Sequence, residues 1–202
     1  MTTLEFFYDF SSPYSYLAST QVEDLAKYYP VEIVWRPFLL GGVFNAIGSG
    51  NNMRVPAKGL NMIQDVQDWA RYYKVPVKWP SVFPLHSVKA LRGCYVAQKE
   101  EKLELYSHAC FRAYWAGDKD LSQEPVLKEI ATEVGLLPDV FLEQIQQPEI
   151  KDRLRADTDE VIQRGGFGAP LFFLKGKMFW GQDRLPLVEE FLKKEGKNDR
   201  NG

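Results

Sequence analysis

The first apolar stretch runs from Thr3 to Asp9, with Leu4, Phe6 and Tyr8 at alternate positions and Phe7 on the other side. A run that is apolar on both faces predicts a strand deep in a sheet. Pro13 stands where a helix should open, since its fixed φ and missing N–H cost nothing at the first helical position. Ala18, Val22, Leu25 and Tyr29 continue at helical spacing. Val31, Ile33 and Trp35 then alternate as a second strand, closed by Pro37. A strand-helix-strand opening with a right-handed crossover predicts two parallel strands.

From Gly41 to Gly59 the periodicity disappears into Gly, Asn and Ser, with Arg54, Pro56 and Lys58 near the end. A loop of that length inside a compact domain is usually functional or mobile. A series of helical stripes follows. They are Leu60, Ile63, Val66, Ala70 and Tyr73; then Val88, Leu91 and Tyr95; then Leu103, Tyr106, Cys110 and Ala113. Ser122 is the expected cap of a helix through Val126, Ile130 and Val134. Pro138 opens a short helix, and Ile150, Leu154 and Val161 mark the last of the series. After Gly165-Gly166 the texture changes back to strands. Leu171 to Leu174 and Met178 to Trp180 read as a hairpin around Lys175-Gly176-Lys177. Leu185, Val188 and Leu192 form a terminal helix, followed by a charged tail.

These elements predict an α/β chain: a four-stranded sheet flanked by helices, with an all-helical insertion. The boundaries fall at residues 1–59 and 164–202 for the sheet domain and 60–163 for the inserted helical domain. This is the layout of the thioredoxin-like fold in its DsbA-like form.

Composition narrows the function. Over 202 residues, 45% hydrophobic and 26% charged content suits a globular protein with an adequate core. A net charge of -2 offers no basic footprint, so nucleic acid is not an expected partner. No apolar run reaches membrane-spanning length, and a strand-like segment follows Met1 at once, so the expectation is a cytoplasmic protein without a membrane partner. Two cysteines, Cys94 and Cys110, do not make a disulfide scaffold. His86 and His108 lack metal-ligand spacing, and no metal is expected.

Thioredoxin-like proteins carry Cys-x-x-Cys where the first strand meets its helix. Here that place holds Ser11-Ser12-Pro13-Tyr14, so disulfide chemistry is not available there. What remains is a helix N-terminus, with unpaired N–H groups and a partial positive charge that stabilise a thiolate. With no protein thiol at hand, the thiolate would come from a ligand, which points to glutathione. On local sequence alone the plainer reading, that the two serines are only helix caps, is the favoured one.

The segment Phe6-Phe7-Tyr8-Asp9-Phe10-Ser11-Ser12-Pro13-Tyr14-Ser15-Tyr16-Leu17 resembles the opening of the 2-hydroxychromene-2-carboxylate isomerases and the related kappa-class glutathione transferases. Trp35-Arg36-Pro37, Pro56-Ala57-Lys58-Gly59, Phe167-Gly168-Ala169-Pro170 and Trp180-Gly181-Gln182-Asp183-Arg184-Leu185 continue the resemblance in order over essentially the whole chain. It implies a glutathione-dependent isomerase of a small aromatic carboxylate, working by reversible thiolate addition, and a homodimer. Ser11 takes the leading catalytic position because it ends the strand; strict family spacing instead places Ser12 on the serine before proline. The resemblance further implies that Lys58, Ala169, Pro170, Trp180, Gln182 and Asp183 hold the tripeptide, Ala169 through its backbone beside a cis-proline and Asp183 through the γ-glutamyl ammonium. Asn51, Asn52, Arg54 and His86 are the expected substrate-side residues. Each has a plainer reading: Asp183 as a helix cap, Pro170 as a trans turn proline, Arg54 as incidental loop charge, His86 as a structural histidine. Two rival functions stay open, a kappa-type transferase and a non-catalytic thioredoxin-fold binding protein.

Overall fold

The computed structural model describes residues 2–50 and 55–198. Four strands form one sheet in the order β2-β1-β3-β4. β1 (Thr2–Tyr8) and β2 (Val31–Pro37) pair in parallel, from Thr2 opposite Val31 to Tyr8 opposite Pro37. β3 (Leu171–Leu174) runs antiparallel to β1 and makes a hairpin with β4 (Lys177–Trp180). The chain is therefore of the DsbA-like thioredoxin fold, as the element order predicts.

Both faces of β1 are covered, which is why its sequence shows almost no polar side. Leu4, Phe6 and Tyr8 join a large core with Trp35 and Phe172 of the sheet and Leu91, Cys94, Tyr106, Phe111 and Trp115 of the helices. Phe7 faces the other way, into a smaller core with Phe38, Val43, Val161, Leu171 and Phe173. Burying each of these aromatic side chains contributes roughly 1.5–3 kcal/mol. The helices between β2 and β3 thus pack straight onto the sheet, and one core continues through both parts of the molecule.

The helices depart from the sequence pattern at three points. The first predicted helix is two, α1 (Pro13–Ser19) and α2 (Asp24–Tyr28). Ser19 Oγ donates to the Tyr16 carbonyl and Thr20 Oγ1 to the Leu17 carbonyl, offering the backbone an alternative to further helix. The aperiodic stretch after Gly41 contains α3 (Leu40–Ala46), and α4 (Pro56–Tyr73) begins at Pro56 rather than Leu60. Pro at the first helical position explains the earlier start and puts Lys58 in the opening turn. Ser122 does not cap α7 (Glu124–Glu133): the N-cap position is Gln123, and the Ser122 N–H is taken by Asp120 Oδ1. The remaining helices follow the stripes: α5 (Val88–Lys99), α6 (Leu103–Trp115), α8 (Pro138–Gln144), α9 (Pro148–Gln163) and α10 (Leu185–Asn198). No helix among the described residues is long and apolar enough to cross a membrane.

Behind the sheet, Arg36 of the Trp35-Arg36-Pro37 match reaches Glu5, Asp157 and Glu160, while Arg164 reaches Glu5 and Glu160. Both guanidinium groups also lie over the Phe7 ring. This half-buried network ties β1 and β2 to α9. Its role is to brace the sheet.

Candidate active site at the opening of helix α1

The site grows from the turn that links β1 to α1. The Ser12 N–H donates to the Asp9 carbonyl, closing a tight turn, and Ser11 N–H donates to Asp9 Oδ1 at 2.9 Å. Trp115 Nε1 donates to the Phe10 carbonyl at 2.9 Å and holds the middle of the turn from the helical side. Ser12 is the N-cap of α1: its φ/ψ of -92/116 is extended, and its Oγ accepts the Ser15 N–H at 3.1 Å. The same Oγ donates to the Ala169 carbonyl at 3.0 Å. Ser12 is buried, whereas Ser11, one residue outside the helix, is half-buried.

Ala169-Pro170 is a cis peptide, in keeping with the resemblance, and Phe83-Pro84 is a second one that the sequence reading did not anticipate. The Pro170 carbonyl accepts the Gly181 N–H at 3.0 Å, so the end of β4 is fastened to the same loop. Gly168 is there for space. A Cβ on it would collide with Trp180 Nε1 and lie 3.0 Å from Cε2 of the same ring. Gly181 takes φ +102 and leads into a 3-10 turn, Gln182–Arg184, that packs against α1.

Gln182 is buried in that turn, and Asp183 is paired with Arg184 at 2.5 Å on the surface. The Asp183 charge is felt by two tyrosines. Burial first, then the hydrogen bond to Asp65 and the charges of Asp65 and Asp183, hold the Tyr14 hydroxyl well above its usual range. Tyr73 is pushed up to about 12 by burial, Tyr72 and Asp183. Tyr14 Oη donates to Asp65 Oδ2 at 2.8 Å, joining α1 to α4. Met62, Val66 and Ala70 pack on Leu17 beneath that bond and set the position of α4. Lys58, in its first turn, is exposed.

The fold therefore gathers Ser12, Ala169, Pro170, Gln182 and Asp183 around the opening of α1, with Trp180 against Gly168 at the rim. His86 lies at the entry to α5 and is exposed. Asn51, Asn52 and Arg54 fall outside the described residues. Neither cysteine belongs to this place. Cys94 is fully buried on α5 with its thiol pushed up to about 12 by burial, and the Cys110 thiol on α6 is likewise raised by burial. A groove of about 660 Å³ between α2, α4 and α10, lined by Leu25, Trp69, Tyr72 and Pro186, contains none of the residues just named. Among the described residues no cluster of His, Cys, Asp or Glu could hold a metal.

Sequence reasoning passed over Asp9 and Trp115. An Asp two residues before a serine at a strand end is an Asx-turn signal, so Asp9 was open to detection. Nothing local marks Trp115, whose indole arrives from 105 residues away.

A family model described as a DSBA-like thioredoxin domain matches residues 3–193. The chain belongs to that family. Within it, this DSBA-like chain is 31% identical over 192 residues to the 2-hydroxychromene-2-carboxylate isomerase of Sphingobium xenophagum, covering 94% of this chain and 97% of that one. It is 27% identical over 207 residues to the human glutathione S-transferase kappa 1, covering 94% and 90%. A solved 2-hydroxychromene-2-carboxylate isomerase superposes with a TM-score of 0.91 at 27% identity, covering 98% of each chain. The resemblance to the isomerases and their kappa-class relatives thus extends from short motifs to the full length of the DSBA-like domain.

Proposed function

We propose that the chain is a glutathione-dependent isomerase of a small aromatic carboxylate, of the type that converts 2-hydroxychromene-2-carboxylate to trans-o-hydroxybenzylidenepyruvate. The observation that carries this reading is the Ser12 hydroxyl, which caps α1 and touches the Ala169 carbonyl. A cysteinyl backbone paired with residue 169 would set its sulfur beside that hydroxyl and the positive end of the helix.

Sequence position alone favours Ser11 as the activating group. The contacts favour Ser12. When the ligand N–H takes up the Ala169 carbonyl, the Ser12 O–H is released to turn toward the sulfur. Ser11 is held by its backbone against Asp9 and lies outside the helix. In this reading Lys58 meets the glycine carboxylate, Asp183 the γ-glutamyl ammonium, and the Gln182–Asp183 backbone the adjoining carboxylate, with Trp180 flanking the peptide. Arg54, Asn51, Asn52 and His86 take the substrate side.

The chemistry conserves every atom. The thiol proton leaves to water, and the thiolate adds to a conjugated carbon of the ring-opened substrate. Its former double bond becomes single and rotates. Expulsion of the thiolate restores the double bond as the trans isomer and returns glutathione. Turnover of 2-hydroxychromene-2-carboxylate with and without glutathione tests this: equal rates reject it.

A kappa-type transferase is the second reading, favoured by the human relative that matches over 94% of this chain. It uses the same thiolate and keeps the adduct. Glutathione consumed in proportion to product selects the transferase; glutathione conserved over many turnovers selects the isomerase. Calorimetry showing no glutathione binding would leave a non-catalytic binding protein.

A further inference from the structure

Asp9 is 1% exposed, and three separate stretches of chain meet at its carboxylate. Oδ1 accepts the Ser11 N–H at 2.9 Å, and Oδ2 accepts the Leu40 N–H, where α3 begins, at 2.8 Å. Its main-chain oxygen takes the Ser12 N–H at 3.0 Å. Burial raises the pKa of the acid, while the donors at Ser11 and Leu40 and the hydroxyls of Ser87 and Ser11 draw it down. Ser87 is the N-cap residue of α5 and directly follows His86. The net direction for the Asp9 carboxyl is upward, because burial outweighs the donors. The two backbone N–H groups can only donate and need an acceptor oxygen each, whereas the serine hydroxyls can donate or accept.

An apolar residue here would leave two N–H groups without acceptors, costing on the order of 1–3 kcal/mol each. An asparagine could serve just one of them, because its other terminus is itself a donor. The place therefore demands a carboxylate, and it draws together three segments. One is the turn that delivers Ser12. Another is the entry of α3. The third is the segment that carries His86.

We propose that Asp9 is the positioning residue of this site: it sets the turn of residues 9–12 so that the Ser12 hydroxyl stands at the N-cap, and anchors α3 and the start of α5 around the same point. This assignment rests on the glutathione reading above. Asp9 touches neither sulfur nor substrate and acts through Ser12.

Asp9→Asn tests it with three measurements. They are kcat, the ultraviolet absorbance of bound glutathione thiolate, and calorimetric affinity for S-methylglutathione, which has no thiol to ionise. The expected result is a fall of about tenfold or more in kcat and a weaker thiolate signal, the size of one lost hydrogen bond to a charged group. S-methylglutathione affinity should stay within about threefold, since the remaining peptide contacts persist. Unchanged kcat overturns the assignment. So does a parallel loss of thioether binding and thermal midpoint, which would make Asp9 merely structural. Should Asp9→Asn fail to fold, Ser87→Ala carries the test, removing one hydroxyl from the carboxylate without uncovering an N–H. A severalfold weaker thiolate signal at unchanged thioether affinity supports the assignment, and no change overturns it. Wild-type protein that binds neither glutathione nor its thioether would overturn the functional reading itself, a failure visible before any variant is made.

Discussion

The Ser12 hydroxyl donates to the Ala169 carbonyl across 3.0 Å, joining residues 157 positions apart at the point where the helix opens. Ser12→Ala removes both this bond and the cap on the Ser15 N–H. We expect glutathione-dependent kcat to fall by roughly 10- to 100-fold, the scale of a hydrogen bond to a charged atom, and stability to fall by about 1 kcal/mol through the lost cap. Ser11→Ala, which takes one hydroxyl from Asp9, should cost only severalfold in kcat, well short of the Ser12→Ala loss. Steady-state kinetics on the pair decide it, and the reverse pattern would return the role to Ser11.

Acid should loosen the strap of residues 74–87. Asp118 Oδ1 accepts the Ser81 N–H at 2.7 Å and the Ser81 hydroxyl at 2.9 Å, and Lys78 Nζ stands 3.0 Å from Oδ2. The Ser81 backbone first, then the Lys78 and Ser81 side chains, hold its pKa down to about 2, below the ordinary 3.8. A carboxyl whose folded pKa is depressed contributes stability above its unfolded value and loses it as pH falls through the folded one. The urea midpoint should therefore drop between about pH 4 and pH 2. Asp118→Asn, tolerated at φ 56, should flatten that part of the profile.

Gly93 on α5 lies under two rings. A Cβ there would collide with Tyr106 Oη and lie 2.5 Å from Phe141 Cζ. Both side chains are fully buried, so neither can swing aside. Overpacking of this kind costs typically 1–3 kcal/mol, and Gly93→Ala should reach the upper part of that range in urea denaturation. A cost under about 0.5 kcal/mol would mean the core yields there.

Cys94 and Cys110 should resist alkylation in the native protein. Both thiols are buried with raised pKa values, and the thiolate is the reactive form. Iodoacetamide labelling followed by mass spectrometry should find both unmodified until urea unfolds the chain. Rapid native labelling of either would contradict their place in the core.

Much of the architecture was legible because it is written in local periodicity. Leu4, Phe6, Phe7 and Tyr8 announce a strand covered on both faces, and Pro13, Pro138 and Pro170 mark their boundaries without reference to distant residues. Two of the misses have a common cause in side chains that redirect the backbone. Ser19 and Thr20 bond back to carbonyls and split the first helix. Asp120 takes the N–H of Ser122, so the expected cap sits outside α7. Helix α3 went unseen because Gly41, Gly42 and Asn45 dilute its apolar side, although Val43 packs against Phe7 behind the sheet.

By itself the sequence determined the order of the strands and of the longer helices, the absence of a thiol at the head of α1, and the residue types near it. Only the tertiary structure decided that the hydroxyl of Ser12 reaches Ala169, and which distant groups, from Ala169 to Trp115, complete the turn. Propensity and spacing act over a few residues, within one turn of helix or one pleat of strand. A hydrogen bond between residues 157 apart exists only once close packing of the sheet and helices has brought them together.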